Sequence, residues 1–221
     1  MDVLFFLKER TKFIRYFYDT AGQPFRESIR KIEAGEDPFD NPAYSEDGEP
    51  PYLEEWMEAH EALEVLGRNC ISMLSPSLQL YFRTWESELR IRWNEKERKL
   101  AFKGGFLRGY QACFGKAVGL TWEECPADLE LIEQITLARN RDQHPGDITS
   151  MRVDHAQKEL EKYPHPFFVS EIERKMNADP DVEGGFLVAP SVHVSPEALF
   201  TAVEEVEKLA EWFEERMLAL R

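Results

Sequence analysis

Apolar residues in this chain recur at intervals of three and four along most of its length, and that spacing leaves few folds open. The last segment carries it most clearly: Leu199, Val203, Val206, Leu209, Ala210, Phe213 and Met217 fall on one side of a 3.6-residue helix. Ser195 ahead of them is a good N-cap, because its hydroxyl can accept from a free first-turn N–H, and Pro196 suits the first helical position. A chain that repeats this pattern must bury several helical stripes against one another.

Earlier segments repeat it. Val3, Phe6, Leu7, Phe13, Ile14 and Phe17 predict a buried helical face over Asp2 to about Thr20, interrupted by Gly22-Gln23-Pro24 and resumed from Phe25 to about Ala34. Residues 35–51 are rich in Pro, Asp, Glu and Gly, lack any period, and read as an acidic loop. A long helix follows from Tyr52 to about Trp93, its stripe running through Leu53, Trp56, Met57, His60, Leu63 and Leu66 to Ile71, Leu74, Leu78, Tyr81, Phe82 and Trp85. Pro76 predicts a kink or break near Leu74-Ser75, since it removes a donor and clashes with the preceding turn.

Gly104-Gly105 opens another helix with Phe106, Tyr110, Cys113, Phe114 and Ala117 inward. After a turn over Gly119 to Cys125, Pro126 is expected in the first turn of a helix reaching about Asp142, with Leu131, Ile132, Ile135 and Ala138 buried. Asp154 to Tyr163 reads as a short helix carrying His155. Phe167-Phe168-Val169, Phe186-Leu187-Val188 and Val192-His193-Val194 read as short strands around a turn at Asn177 to Gly185. The expected fold is therefore mainly all-α: an up-and-down helical bundle with a small β-hairpin insertion before the C-terminal helix. Residues 1–221 form one domain, with the acidic loop at 35–51 and the strand-containing insertion at about 164–194.

Composition narrows the setting. No apolar run approaches the roughly 20 residues that span a bilayer. The start, Met1 to Arg10, has no basic leader and no small-residue cleavage site, so neither a signal peptide nor a membrane partner is expected. Cys70, Cys113 and Cys125 are far apart and form no Cys-x-x-Cys pair, which points to three buried reduced thiols, no metal site and a cytoplasmic location. No cofactor-binding motif is present, so no cofactor is expected.

The net charge of −15 argues against broad adhesion to nucleic acid. The charge is uneven, however. Between Arg90 and Arg108 seven cations stand against Glu95 and Glu97, a local +5 that leaves −20 elsewhere. Arg90, Arg92, Arg98, Lys99, Lys103 and Arg108 are the candidate RNA-binding residues of this strip, which a solvated helix end and loop would equally explain.

One segment points to a reaction. Arg139-Asn140-Arg141-Asp142-Gln143-His144 sits where an amphipathic helix runs into Pro145-Gly146. Arg139 is a permanent cation suited to phosphate oxygens, and His144 can move protons near neutral pH. Five helical steps of about 100° would set the two about 140° apart, but Pro145 disfavours a helical His144 and so frees its ring. Asn140 could bond a ligand or hold the histidine's tautomer. An arginine closing a helix end beside a turn histidine accounts for the same spacing. Glu133, six positions before Arg139, could orient it or face solvent. His60 reads as a satisfied core or interface histidine and His193 as a strand residue, while His155 and His165 lack ligand spacing.

Arg139-Asn140-x-x-x-His144 at the end of a helix in a helical chain resembles the signature of the HEPN family: an arginine, four to six residues, then histidine, commonly with a polar residue directly after the arginine. The matched motif spans six residues, and the helical order around it agrees loosely. The resemblance implies a helical homodimer and a metal-independent endoribonuclease, possible as a toxin or phage-defence effector with an antitoxin or regulatory protein as partner. Arg139, Asn140 and His144 would be its catalytic residues. A ribose 2′-hydroxyl would attack the neighbouring phosphate, leaving a 2′,3′-cyclic phosphate. Gly146 stands where a subgroup carries a tyrosine modified by nucleotidyltransferase antitoxins, so that type of partner is not implied. Some family members have lost catalysis, which leaves a noncatalytic RNA- or protein-binding module as the alternative. An acidic inhibitor or immunity partner is a third reading, resting on the −20.

Overall fold

The computed structural model describes residues 2–41, 48–144, 151–177 and 189–219. It is an all-α bundle with no strand among the described residues. Helix α1 (Val3–Ala34) starts at Asp2, whose carboxylate accepts from the Phe5 N–H at 2.9 Å, and stops at Gly35 in the left-handed region (φ 62°). Helix α2 (Leu53–Glu88) returns antiparallel to it: Trp56 donates to Glu33, Gly22 lies beside Leu63, and Val3 and Leu7 lie by Ser77, Tyr81 and Thr84.

Contrary to expectation, α1 runs unbroken through Gly22-Gln23-Pro24, and of the kink or break expected near Pro76 the break does not form: α2 continues through it. In α1, Arg26 donates through Nη2 to the Asp19 carbonyl at 2.7 Å, next to the Thr20 carbonyl that Pro24 leaves without its helical donor. In α2, the Ser77 hydroxyl donates to the Met73 carbonyl at 2.8 Å, while Leu74, Ser75, Ser77 and Leu78 are buried. An interior proline costs about 3 kcal/mol, which the burial of several apolar side chains at about 1.5–3 kcal/mol each outweighs. α2 also ends five residues earlier than expected, at Glu88, where Arg90 takes a left-handed φ of 52°.

The buried face of α1 is rotated from the expected one. Val3, Leu7, Thr11, Ile14, Tyr18 and Gly22 face inward, whereas Phe6 and Phe13 are each 55% exposed. The helix thus carries two apolar stripes, and the bundle covers only one.

Short α3 (Glu95–Phe102) and α4 (Phe106–Val118) cap one end of the bundle, followed by a 3-10 turn at Trp122–Glu124. Of the expected inward residues of α4, Ala117 is instead exposed. Helix α5 (Leu129–Gln143) is capped by Asp128, which accepts from the Glu130 and Leu131 N–H groups, so Pro126 precedes the helix rather than opening it. Leu131, Ile132, Ile135 and Ala138 are buried as the spacing required.

Short α6 (Gln157–Lys162) and α7 (Glu171–Asn177) lead to α8 (Pro196–Ala219). The Ser195 hydroxyl accepts from the Ala198 N–H, and the whole stripe from Leu199 to Met217 is fully buried. α8 runs antiparallel to α1, with Lys8–Glu211, Thr11–Glu207 and Arg15–Glu204 contacts along the seam.

No hairpin forms among the described residues before α8. Phe167 and Phe168 form a bend closed by the Val169 N–H to the Phe167 carbonyl, the His193 N–H donates to the Phe168 carbonyl, and among the described residues the only bridge is Asp154 with Ser191. Phe186-Leu187-Val188 lies outside the described residues. The segment is held by helices instead of a sheet: Val192 and Val194 enter the main core, and a Cβ at Gly67 would stand 2.5 Å from the Val194 carbonyl oxygen. Only glycine lets α2 and this strap approach so closely.

The core centres on rings. Phe82 meets Tyr81, Phe106, Tyr110, Phe114, Trp122 and Phe213 with centroids 5.1–6.2 Å apart. All three cysteines are free: Cys70 and Cys113 are buried, while Cys125 is half-buried. Burial pushes the Cys70 thiol up to about 12 and the Cys113 thiol up to about 11, which keeps both protonated. No helix among the described residues is long and apolar enough to cross a membrane.

Candidate functional site

The motif stands at the C-terminal end of α5, which packs antiparallel on α2. Tertiary contacts, and not the local sequence, hold that end in place. Arg141 donates through Nε to the Asp154 carbonyl at 2.8 Å. Asp142 accepts from the Ser72 hydroxyl at 2.7 Å and lies 3.5 Å from Nε of Arg68. Arg68 is only 6% exposed, and its Nη2 donates to the Met151 carbonyl at 2.8 Å. Glu64, one turn before Arg68, bonds Nδ1 of His193. A polar chain from His193 through Glu64, Arg68 and Asp142 to Ser72 therefore fastens α5 and the strap before α8 to α2.

Just before these anchors, Arg139 is half-buried and its Nη1 donates to Asn140 Oδ1 at 2.9 Å. Asn140 thus holds the guanidinium, not the histidine. The helix stops as Pro145 requires: His144 leaves the helical region (φ −131°, ψ 63°), its N–H bonds the Arg141 carbonyl, and it is exposed. Among the described residues no hydrogen bond or common cavity joins Arg139 to His144. Pro145-Gly146 lies outside the described residues.

The basic strip divides into two groups. Arg98 forms an ion pair with Glu86, which holds its guanidinium further into the charged state, and it also lies 5.1 Å over the Phe102 ring. Lys99 pairs with Glu95 at 2.8 Å. Arg90, Arg92, Lys103 and Arg108 are exposed and make no ion pair among the described residues. Arg108 shares a cavity with Asn140, so one cation of the strip meets the motif.

Glu133 orients no arginine; it pairs with Lys162 and lines the same cavity. His60 packs tilted against Trp56 with centroids 3.9 Å apart, and among the described residues its buried Nε2 has no hydrogen-bond partner. His155 is buried, and its Nε2 pairs with the Phe168 carbonyl at 2.9 Å. His193 opens onto a second cavity of about 430 Å³ that also includes Phe167, Arg174 and Thr201. Among the described residues no three His, Cys, Asp or Glu side chains gather as a metal site.

Reading the sequence missed Arg68, Glu64 and Asp142. The signal was there: Arg68 stands three before Ile71 and ten before Leu78 on the inward stripe, and a cation on a core face needs partners. Compared with known proteins, the chain matches no family model, no curated protein and no solved structure.

Proposed function

We propose that this protein is a metal-independent endoribonuclease of HEPN type that uses Arg139, Asn140 and His144. The observation that carries the reading is the guanidinium of Arg139, held by Asn140 at the end of α5 immediately before the helix stops and leaves His144 exposed. The all-helical bundle supports it as well, because the resemblance implies one. In this reading Asn140 fixes the arginine's orientation, and the guanidinium takes the charge that builds on the phosphoryl oxygens. His144 accepts the proton of the attacking 2′-hydroxyl or gives one to the departing 5′-oxygen. The phosphate–5′-oxygen bond breaks, leaving a 2′,3′-cyclic phosphate and a 5′-hydroxyl.

Incubating the purified protein with mixed RNAs in EDTA, beside His144→Ala and Arg139→Ala forms, tests this directly. Wild-type protein should cut RNA but not DNA, and each substitution should lower the rate by about 10²–10⁴-fold. Equal cleavage by His144→Ala would remove the catalytic assignment; binding without turnover would make the protein a noncatalytic module.

The working form in this reading is a homodimer, supported by the uncovered stripe of α1. An antiparallel pair about an axis between Glu9 and Arg10 sets Phe6 of each copy opposite Phe13 of the other, and Glu9 opposite Arg10. Phe13→Asp should convert a dimer to a monomer in light scattering without changing the helical circular dichroism; a mass unchanged by it would dismiss this face.

A further inference from the structure

Beside Asn140 lies a cavity of about 210 Å³ between α2, the start of α4 and α5. We propose that it binds guanine, seating one unstacked base of single-stranded RNA next to the phosphate that Arg139 grips. Its part in cleavage rests on the ribonuclease reading above, while the binding itself does not.

Size is the first argument. The cavity is smaller than the roughly 300–1,000 Å³ of sites for drug-sized ligands, so it has room for one planar ring system rather than a whole nucleotide. Phe106 and Leu137 give it apolar lining, and Gly104-Gly105 lines it with backbone that carries no side chain. Gly105 has φ 110°, a conformation that other residues rarely adopt, so the chain can enter α4 there without a side chain in the way. Sequence-specific RNA recognition works on splayed single-stranded bases laid against such surfaces and read along their polar edges.

The polar edge favours guanine. Asn140 lines the cavity and already spends its Oδ1 on Arg139, so its Nδ2 hydrogens remain as donors. Arg108 is a second donor, free of ion pairs among the described residues, and arginine suits the O6 and N7 acceptors of guanine. Glu133, two turns before Asn140 on α5 and lining the same cavity, offers only acceptor oxygens, which suit the adjacent N1–H and N2–H groups. Adenine would bring its N6 donor toward donors and its N1 acceptor toward the carboxylate. Lys162 pairs with Glu133 and offsets its charge, so the carboxylate does not repel the nearby phosphate. Asn140 is thus shared between the two halves of the site, holding the phosphate-gripping arginine with one atom and facing the base with the other.

Titration of the full chain with GMP, AMP, CMP and UMP, followed by calorimetry, tests the pocket without any cleavage. GMP should bind at least about tenfold tighter than each of the others, as expected for one or two hydrogen bonds gained rather than left unmade. Glu133→Gln changes a side chain whose lysine partner is at the surface, and should weaken GMP by about tenfold with the helical circular dichroism unchanged. Leu137→Trp, which fills the cavity, should abolish saturable binding. Failure of GMP to saturate, equal binding of AMP, or indifference to Glu133→Gln would overturn the proposal. GMP binding in a protein that cuts no RNA would uphold the pocket and dismiss the nuclease; cutting of RNA without GMP binding would do the reverse.

Discussion

Arg68→Ala is expected to destabilise the protein by about 3 kcal/mol, the range in which breaking one side of a buried ion pair falls. The guanidinium is nearly sealed, bonded to the Met151 carbonyl and set against Asp142. Removing it leaves the Met151 carbonyl without its donor, a carboxylate without its cation, and a void where the side-chain stem packed. Asp142 keeps its bond from Ser72, which holds the loss to the lower part of that range. Arg68→Met retains the stem and should recover about 1 kcal/mol or more by filling the void.

The effect should also be local to the motif. Asp142 lies two residues before His144, so in Arg68→Ala the amides at 139–144 should exchange faster than those of α8, measured by hydrogen exchange. Coupling between Arg68→Ala and Asp142→Asn in a double-mutant cycle would identify the pair as the anchor. Additive losses would mean that Arg68 acts through packing alone.

Phe82→Ala should be at least as damaging, at about 3–5 kcal/mol. Its ring is fully buried and touches six other aromatic rings drawn from α2, α4, α8 and the 3-10 turn. The rigid rings around it collapse poorly into a void. At roughly 2–4 °C per kcal/mol for a chain of this size, the melting temperature should fall by about 10 °C or more in calorimetry. Phe5→Ala, at a ring 52% exposed, is the control and should change stability by less than about 0.5 kcal/mol. Similar losses at both positions would contradict the ring cluster as the centre of the core.

Much of the bundle was legible from spacing because helical period is a local property. The stripes of α5 and α8 fall where the sequence put them, and so do the Ser195 cap and the stop before Pro145. The motif's place at the end of α5 was equally readable. The prolines misled for the opposite reason: Pro24 and Pro76 argue for breaks on local grounds, and contacts far along the chain overrule them. α1 shows the same limit, since two apolar stripes are both written into its residues and only the position of α2 and α8 selects Val3, Leu7, Ile14 and Tyr18 over Phe6 and Phe13.

The sequence by itself determined where helices form, which side of most of them is apolar, and that an arginine and a histidine meet a helix stop. The tertiary structure alone decided that Arg68 and Asp142 fasten the end of α5, and that Arg108, thirty-two residues earlier in the chain, shares a cavity with Asn140. The physical reason is range: backbone hydrogen bonding and capping act within a turn or two. The pairing of buried polar groups and the shape of a cavity depend on which helices lie side by side, and that is settled only when the whole core packs.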